Sequence, residues 1–439
     1  SYIGTFITGS PVGQFGRELF AARSSTAGQW ARFLRDINFT RLMGQLGFAQ
    51  AAEFGNIIGT VGVKTAFTAM PTMRSLWRDM RTAELGDDLA RELEASIGLG
   101  TDRLRGVSEF RHEDFGNYLN PIEDGFLSRA TTLMDRGKMA IGELSGANMV
   151  NTVMHRWTMR AVAQKFADIA WKKGAWSERC LAAYGLDKET AERVSAEMRA
   201  HATTVKGAIT SKKLTQLNLD KWNPEVRDTF EQVMYRIGRH IIQENDPGNL
   251  AAFMSKPFWQ IITQFRVFVL AAHSKQLLHG IHIRDAHTTT AFLGTSVTAG
   301  MAYMLQTYAQ SLGKQDRQKF LEERLSMERI GAASFARAGW AALVPTVVDN
   351  LASDFGYDTP FGMRSSGLGP VGLLQNPTFD FLNSASHIPF DAVRAAIRSD
   401  IDYSEQDFKR LYNVLPFKNT IPVAAGLSLI GSQLPEKSR

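Results

Sequence analysis

The chain has 439 residues, of which 44% are hydrophobic and 21% are charged, and its formal net charge is +6. This length can bury one large core or several linked ones, and a mean hydropathy of −0.17 excludes a bundle embedded entirely in lipid. Cys180 is the only cysteine, which excludes an internal disulfide and a cysteine-based metal cluster. The mildly basic balance is compatible with nucleic acid or an anionic membrane as a partner.

The chain starts SYIGTFITGS, without an initiator methionine or a basic leader, and we expect it to be part of a longer protein. Residues 1–110 are predicted to form a helical region rich in Gly and Ala. Gly55 and Gly59 form a GxxxG pattern there. Such a face lets helices approach closely, either in a water-soluble oligomer or in a membrane.

Residues 147–176 combine the two residue types that phosphate contact and base stacking use. Arg156 and Arg160 lie one turn apart, and Lys172 and Lys173 extend the positive charge. The interleaved aromatic residues are Trp157, Phe166, Trp171 and Trp176. A plain packing helix with its arginines in water explains the same pattern and is favoured, since no known nucleic-acid motif accompanies it.

Two later helices are predicted from their caps and apolar spacing. The first runs from Asp187 to about Lys206, and its sparse, small apolar residues predict a surface helix. The second starts after Asn223, which can cap it, with Pro224 in the first helical position. Its apolar stripe comprises Val226, Phe230, Val233, Met234, Ile237 and Ile241.

Residues 257–287, PFWQIITQFRVFVLAAHSKQLLHGIHIRDAH, place Arg266 among apolar neighbours. The apolar residues cover more than half of a helix's circumference, so we expect this helix to be central to its domain. A buried guanidinium needs a partner. We therefore predict that Arg266 pairs with a carboxylate or with backbone carbonyls and fixes the register of the fold. Lys275 and Arg284 are expected to face partners or DNA.

Signals for catalysis and for metal binding are weak. His279, His282 and Asp285 share a spacing of three residues, but such triples recur by chance in helical sequences. The sequence lacks the motifs of phosphate-binding loops, dinucleotide-binding loops, zinc proteases and serine hydrolases. We expect no catalytic residue, cofactor or metal in this segment, and therefore no enzyme activity.

Residues 286–313 contain no Asp, Glu, Lys or Arg. This length exceeds the roughly 20 residues that a helix needs to cross a bilayer. The segment is also rich in Thr, Ser, Gln and Gly, which suits close packing between helices. A packing helix is the favoured interpretation, and a helix that enters a membrane or lines a channel after rearrangement is the alternative.

The whole pattern predicts an all-α protein with several packed helical subdomains. Residues 111–330 form the predicted central helical domain. Eight of the 14 prolines lie after position 330. Residues 331–439 are therefore predicted to form a Pro- and Gly-rich region of short helices and loops that lies against its neighbours.

Four short segments carry a resemblance to a known family. They are Asn218-Leu-Asp-Lys-Trp222, Asn245-Asp-Pro-Gly248, Gln264-Phe-Arg-Val-Phe268 and Lys275-Gln-Leu-Leu278. Over residues 215–315, the chain resembles the C-terminal portion of the largest internal virion (ejection) protein of short-tailed, podovirus-type phages.

The resemblance implies a structural protein of the capsid's inner core, near the portal, that leaves through the tail and helps build a trans-envelope conduit for the genome. The implied partners are copies of itself, other ejection and core proteins, the portal, double-stranded DNA passing through, and the host inner membrane after ejection. In that family a lytic transglycosylase domain often lies nearer the N-terminus. The alternatives are thus a part of a larger peptidoglycan-cleaving chain, or a DNA-binding virion module.

Overall fold

The computed structural model describes residues 25–72, 88–97, 140–210, 212–242, 256–264, 286–314, 316–341 and 412–431, with isolated positions between these ranges. The secondary structure of the described residues is helical, apart from one two-stranded antiparallel sheet. The predicted all-α, multi-helix class is confirmed.

The described elements follow one another along three stretches of the chain. The first stretch contains α1 (Thr26–Leu42), α2 (Leu46–Ala51), α3 (Phe54–Val61), α4 (Val63–Ala69) and α5 (Asp88–Ile97). The second contains α6 (Ala147–Ala170), α7 (Glu178–Ala183), α8 (Lys188–His201), β1 (Thr203–Val205), β2 (Lys213–Gln216) and α9 (Pro224–Ile241). The third contains α10 (Pro257–Thr263), α11 (Ala286–Gln310), α12 (Arg317–Arg324), α13 (Met327–Arg337) and α14 (Ile421–Gly431).

Helix α9 forms where its caps and apolar spacing predict it. The Asn223 side chain accepts a hydrogen bond from the backbone N–H of Glu225, and Pro224 occupies the first turn. All six residues of the predicted apolar stripe are buried. The cap and the stripe together therefore determine both the start of this helix and the face that it buries.

Helix α8 ends earlier than predicted. The Asp187 side chain caps its start by accepting from the backbone N–H of Thr190. The helix ends at His201, because Ala202 adopts an extended backbone that leads into β1. Strand β1 pairs antiparallel with β2, with Thr204 opposite Leu214. The predicted extension to Lys206 is wrong, since the β-branched run at 203–205 favours a strand.

Helix α6 lies at the centre of the main apolar cluster, and α4, α5, α8 and α9 pack around it. The Phe166 ring lies edge-on to Trp176 and to Phe230, with centroids 5.2 and 5.4 Å apart. Two buried indoles donate to backbone carbonyls: Trp157 to Ala66 at 2.8 Å, and Trp176 to the carbonyl of residue 60 at 2.9 Å. These bonds satisfy the polar ends of large side chains that otherwise fill the core.

The GxxxG pattern packs α3 directly against α11. A Cβ added to Gly59 would overlap Ala291, and one added to Gly55 would overlap the backbone of Thr295. Across the same contact, the Thr298 hydroxyl donates to the carbonyl of Ala52, the residue after α2, at 2.5 Å. The small residues thus join two helices of one chain. Among the described residues, none of the helices combines the length and the hydropathy of a membrane span.

Helix α1 and the C-terminal residues meet through buried polar groups. Arg41 is fully buried, and its guanidinium donates to the Asn413 carbonyl at 2.7 Å and to the Asn38 side chain at 2.8 Å. The Asn38 amide donates in turn to the Thr378 hydroxyl. These contacts join the first and last predicted regions, whose boundaries at 110 and 330 stay predictions.

Helix α10 covers only the first two turns of the predicted central helix. It ends because Gln264 leaves the helical conformation, while the Gln264 side chain donates to the carbonyl of Arg35 at 2.8 Å. Phe258 is 63% exposed and Trp259 is 40% exposed. Of the apolar residues on which the predicted central position of this helix rests, burial is described only for Trp259, so that position stays a prediction. Arg266 lies outside the described residues, and its predicted pairing stays a prediction.

Candidate nucleic-acid interface

The two arginines predicted on α6 contact neighbouring helices. Arg160 is half-buried, and its Nε donates to the carbonyl of Ala69, the last residue of α4, at 3.2 Å. Arg156 is also half-buried and lies close to Glu94 of α5. Burial raises the pKa of the Glu94 carboxyl, and the charge of Arg156 opposes that shift. The expectation that these arginines lie in water is thus wrong, because both reach into contacts with other helices.

Three of the four interleaved aromatic residues belong to the core. Trp157, Phe166 and Trp176 are each less than 7% exposed, so their rings are already packed against protein. Trp171, the residue after α6, is half-buried and has the Lys212 ammonium 4.5 Å from its ring centroid. Base stacking on the first three residues would require this core to open.

Lys172 and Lys173 are exposed in the turn that closes α6. Lys172 adopts the left-handed conformation, with φ of 55°. The backbone N–H groups of both residues donate to carbonyls of the last helical turn, at 2.9 and 2.7 Å. Positive charge at a helix C-terminus is favoured by the helix dipole, and here it remains accessible to solvent.

The β-hairpin places further cations beside the end of α6. Gln164 of α6 donates to the Lys212 carbonyl at 3.1 Å and accepts from the backbone N–H of Leu214 at 2.8 Å. From α8, the Arg199 guanidinium donates to the carbonyl of Ala170 at 2.9 Å. We call the resulting group the basic surface: Lys172, Lys173, Arg199, Lys206, Lys212 and Lys213.

The carboxylate of Asp168, near the end of α6, points inward. Asp168 accepts from the Thr65 hydroxyl at 2.7 Å and from the Gln164 amide at 2.9 Å. It also faces Lys165, whose ammonium pKa is lowered by burial and raised in part by Asp168. Burial likewise lowers the pKa of Lys213, and the nearby charge of Arg160 lowers it further. An anionic partner at Lys213 would offset the repulsion between Lys213 and Arg160.

Sequence reasoning identified only part of the basic surface. Arg199, Lys206, Lys212 and Lys213 were missed because the hairpin that positions the last three was not predicted. The available signal is the segment TSKKLTQ, in which Leu214 is an apolar residue between polar ones. This alternation indicates a strand with one buried face, next to a pair of lysines. Lys275 and Arg284, the other predicted contacts, lie outside the described residues.

Other sites for chemistry are sparse in the described part of the chain. Its residues include no group of three or more His, Cys, Asp or Glu side chains placed to hold a metal ion. Of the histidine triple, only His282 is described, and it is exposed. An open cleft of about 360 Å³ lies beside the starts of α8 and α9, but its Arg193 and Glu225 are ion-paired at 2.7 Å.

Comparisons of this chain with protein-family models, curated proteins and solved structures found no match. The fold and the basic surface define an all-α protein with a cationic patch built from a helix end and a hairpin.

Proposed function

We propose that this protein is a structural ejection protein of a phage virion, held in the inner core near the portal and delivered into the host envelope with the genome. In this role it acts by packing against copies of itself, against other core proteins and the portal, and against double-stranded DNA. It performs no catalysis within these 439 residues. A lytic domain, where present, lies elsewhere in a longer chain.

The basic surface is the observation that carries the DNA contact. Six cations lie around one helix end and one hairpin, while Asp168 is bonded inside the protein. Lysines on a short hairpin suit phosphate contact without base readout, which is what a DNA that slides past requires. The buried aromatic residues also favour contact with phosphates, because bases cannot stack on rings that are packed inside the core.

The packing of the helices supports an assembly role. Gly55 and Gly59 let α3 pack closely against α11, and the buried Arg41 joins α1 to Asn413, which lies before α14. These contacts stabilise a scaffold rather than shape a reactant site. The resemblance of residues 215–315 to an ejection protein adds the virion context.

A DNA-binding virion module that is never ejected is the second candidate, because the basic surface alone would serve it equally well. The composition of particles before and after genome release distinguishes the two. We expect mass spectrometry to detect this chain in purified full virions and to find it depleted from particles that have released their DNA. Retention in emptied particles would favour the module, and absence from full virions would overturn both.

A further inference from the structure

Helix α11 presents an unusual outer face. Its exposed apolar side chains recur every three or four residues and are between 47% and 64% exposed. We call them the α11 stripe: Leu293, Val297, Met301, Leu305, Tyr308 and Leu312. At about 100° per residue, the five side chains within α11 fall within an arc of about 120° on one side of the helix, and Leu312 lies in the turn that follows it. They therefore form one continuous surface.

The other sides of α11 are already occupied. Ala291 and Thr295 contact the glycines of α3, and Gly300 contacts Ser334 of α13. The Phe292 ring stacks on Trp340 with centroids 4.8 Å apart. Because these contacts fix the rotation of the helix, the stripe cannot turn inward without breaking them.

The composition of the stripe is unusual for a surface in contact with water. Between Thr289 and Leu312, the exposed positions other than the stripe are Thr289 and Gln310. The whole helix, Ala286–Gln310, carries no Asp, Glu, Lys or Arg. Exposed apolar patches of several hundred Å² mark binding surfaces.

We propose that the stripe is a self-association surface, where α11 of one copy packs antiparallel against α11 of a second copy. A two-fold interface places the same patch against itself, so a charge in the patch would be buried against apolar side chains without a partner. A helix without charges avoids this cost.

The available area agrees with a stable pair. Six side chains exposing about 100 Å² each give roughly 600 Å² per copy and about 1,200 Å² for two, which reaches the lower limit of stable interfaces. A bilayer surface fits less well, since helices that lie on membranes carry Lys or Arg beside the apolar face.

An antiparallel pair centred on the stripe has a defined register. Leu293 of one copy then lies opposite Leu312 of the other, and Val297 lies opposite Tyr308. The proposal names the surface behind the self-association in the proposed function, but it rests on the geometry of α11 and can fail separately.

The first test is the oligomeric state, measured by sedimentation equilibrium between about 1 and 100 µM. We expect the wild-type chain to dimerise and the Val297→Glu/Leu305→Glu double variant to dissociate at least about 100-fold more readily, because the interface would bury carboxylates without a partner. Val205→Glu/Ile209→Glu on the exposed hairpin is the matched control and should leave dimerisation unchanged. Circular dichroism checks that each variant is folded.

The second test is the register. Cys180 is buried, so introduced surface thiols can be followed specifically. A mixture of V297C and Y308C proteins should form a disulfide-linked dimer under mild oxidation, whereas V297C alone should not. A monomeric wild type, or an assembly that survives the double Glu variant, would overturn the proposal. Membrane binding in place of dimerisation would also overturn it. In that case the wild type would form no dimer but would float with vesicles of anionic lipid, and the double Glu variant would not float. None of these results would disturb the virion test of the proposed function.

Discussion

Long basic side chains have two separate roles in this protein. Arg41, Arg160 and Arg199 donate to backbone carbonyls of other segments, and they thereby hold elements together. Lys172 and Lys173 are exposed. The planar guanidinium suits fixed, directional bonds, whereas the ammonium of lysine is a mobile point charge that suits phosphate contact. The predicted DNA contacts at Arg156 and Arg160 therefore compete with structural contacts that these residues already make.

The exposed lysines are expected to carry the salt dependence of DNA binding. Lys172→Ala/Lys173→Ala should weaken binding to double-stranded DNA and lower the slope of log K against log salt by up to about 2, since each lost phosphate contact removes about 0.9. Fluorescence anisotropy over a salt series measures both quantities.

The control for this prediction is Lys188→Ala/Lys319→Ala, which removes the same charge from exposed positions on α8 and α12. Equal losses in the two variants would indicate that net charge, rather than the basic surface, determines binding.

Glu94 is expected to make folding stability depend on pH. Burial raises its pKa above the ordinary 4.5, so the folded state binds the proton more tightly than the unfolded state. The stabilisation is complete below 4.5 and is lost as the pH rises through the raised value. Glu94→Gln should therefore gain stability relative to the wild type between pH 4 and pH 7, as measured by urea unfolding. Glu192→Gln, an exposed control, should show no such trend; parallel curves for both variants would contradict the assignment.

At the scale of elements, contact between helices depends on small residues as much as on large ones. The seam between α3 and α11 has no room for a side chain at Gly55 or Gly59, while the cluster around α6 is filled by aromatic rings. Close-packed backbones tolerate added volume poorly, because neither partner can move away without losing its other contacts.

The seam gives a stability prediction. Gly59→Ala should lower the free energy of unfolding by about 1–3 kcal/mol or more, because the new methyl overlaps Ala291. Gly331→Ala in α13 is the control: an added Cβ there meets nothing within 4 Å, so the variant should gain about 0.5–1 kcal/mol from helix propensity. Urea denaturation gives both values, and a stable Gly59→Ala protein would show that the two helices are not in this contact.

The elements differ in how well the sequence predicts them. Helix α9 follows from its cap and its apolar period, since both signals are local. Strands β1 and β2 are three and four residues long, so their pairing depends on a contact with Gln164 that is distant in sequence. In helix α10, Phe258 and Trp259 belong to an apolar run and are nevertheless exposed. Periodicity indicates which face is apolar, but not whether the fold covers it.

On the scale of the whole molecule, α1 is connected through polar contacts to segments distant in sequence, including the residues just before α14. The Phe417 N–H donates to the carbonyl of residue 40 at 2.8 Å, and the buried Arg41 reaches Asn413. Asp36 of α1 is also paired with Lys138 at 2.8 Å. A buried charge that loses its partner costs several kcal/mol, so these contacts favour one arrangement of the regions over others. Such specificity would suit the proposed role in an assembly.

The location of the chain tests the account most directly. We expect electron cryomicroscopy of virions that carry a tagged copy to show its density inside the capsid, on the axis of the portal vertex. After genome release, the same density should be absent from the capsid. Density of the tagged copy outside the capsid, or inside it but away from the portal axis, would contradict the account.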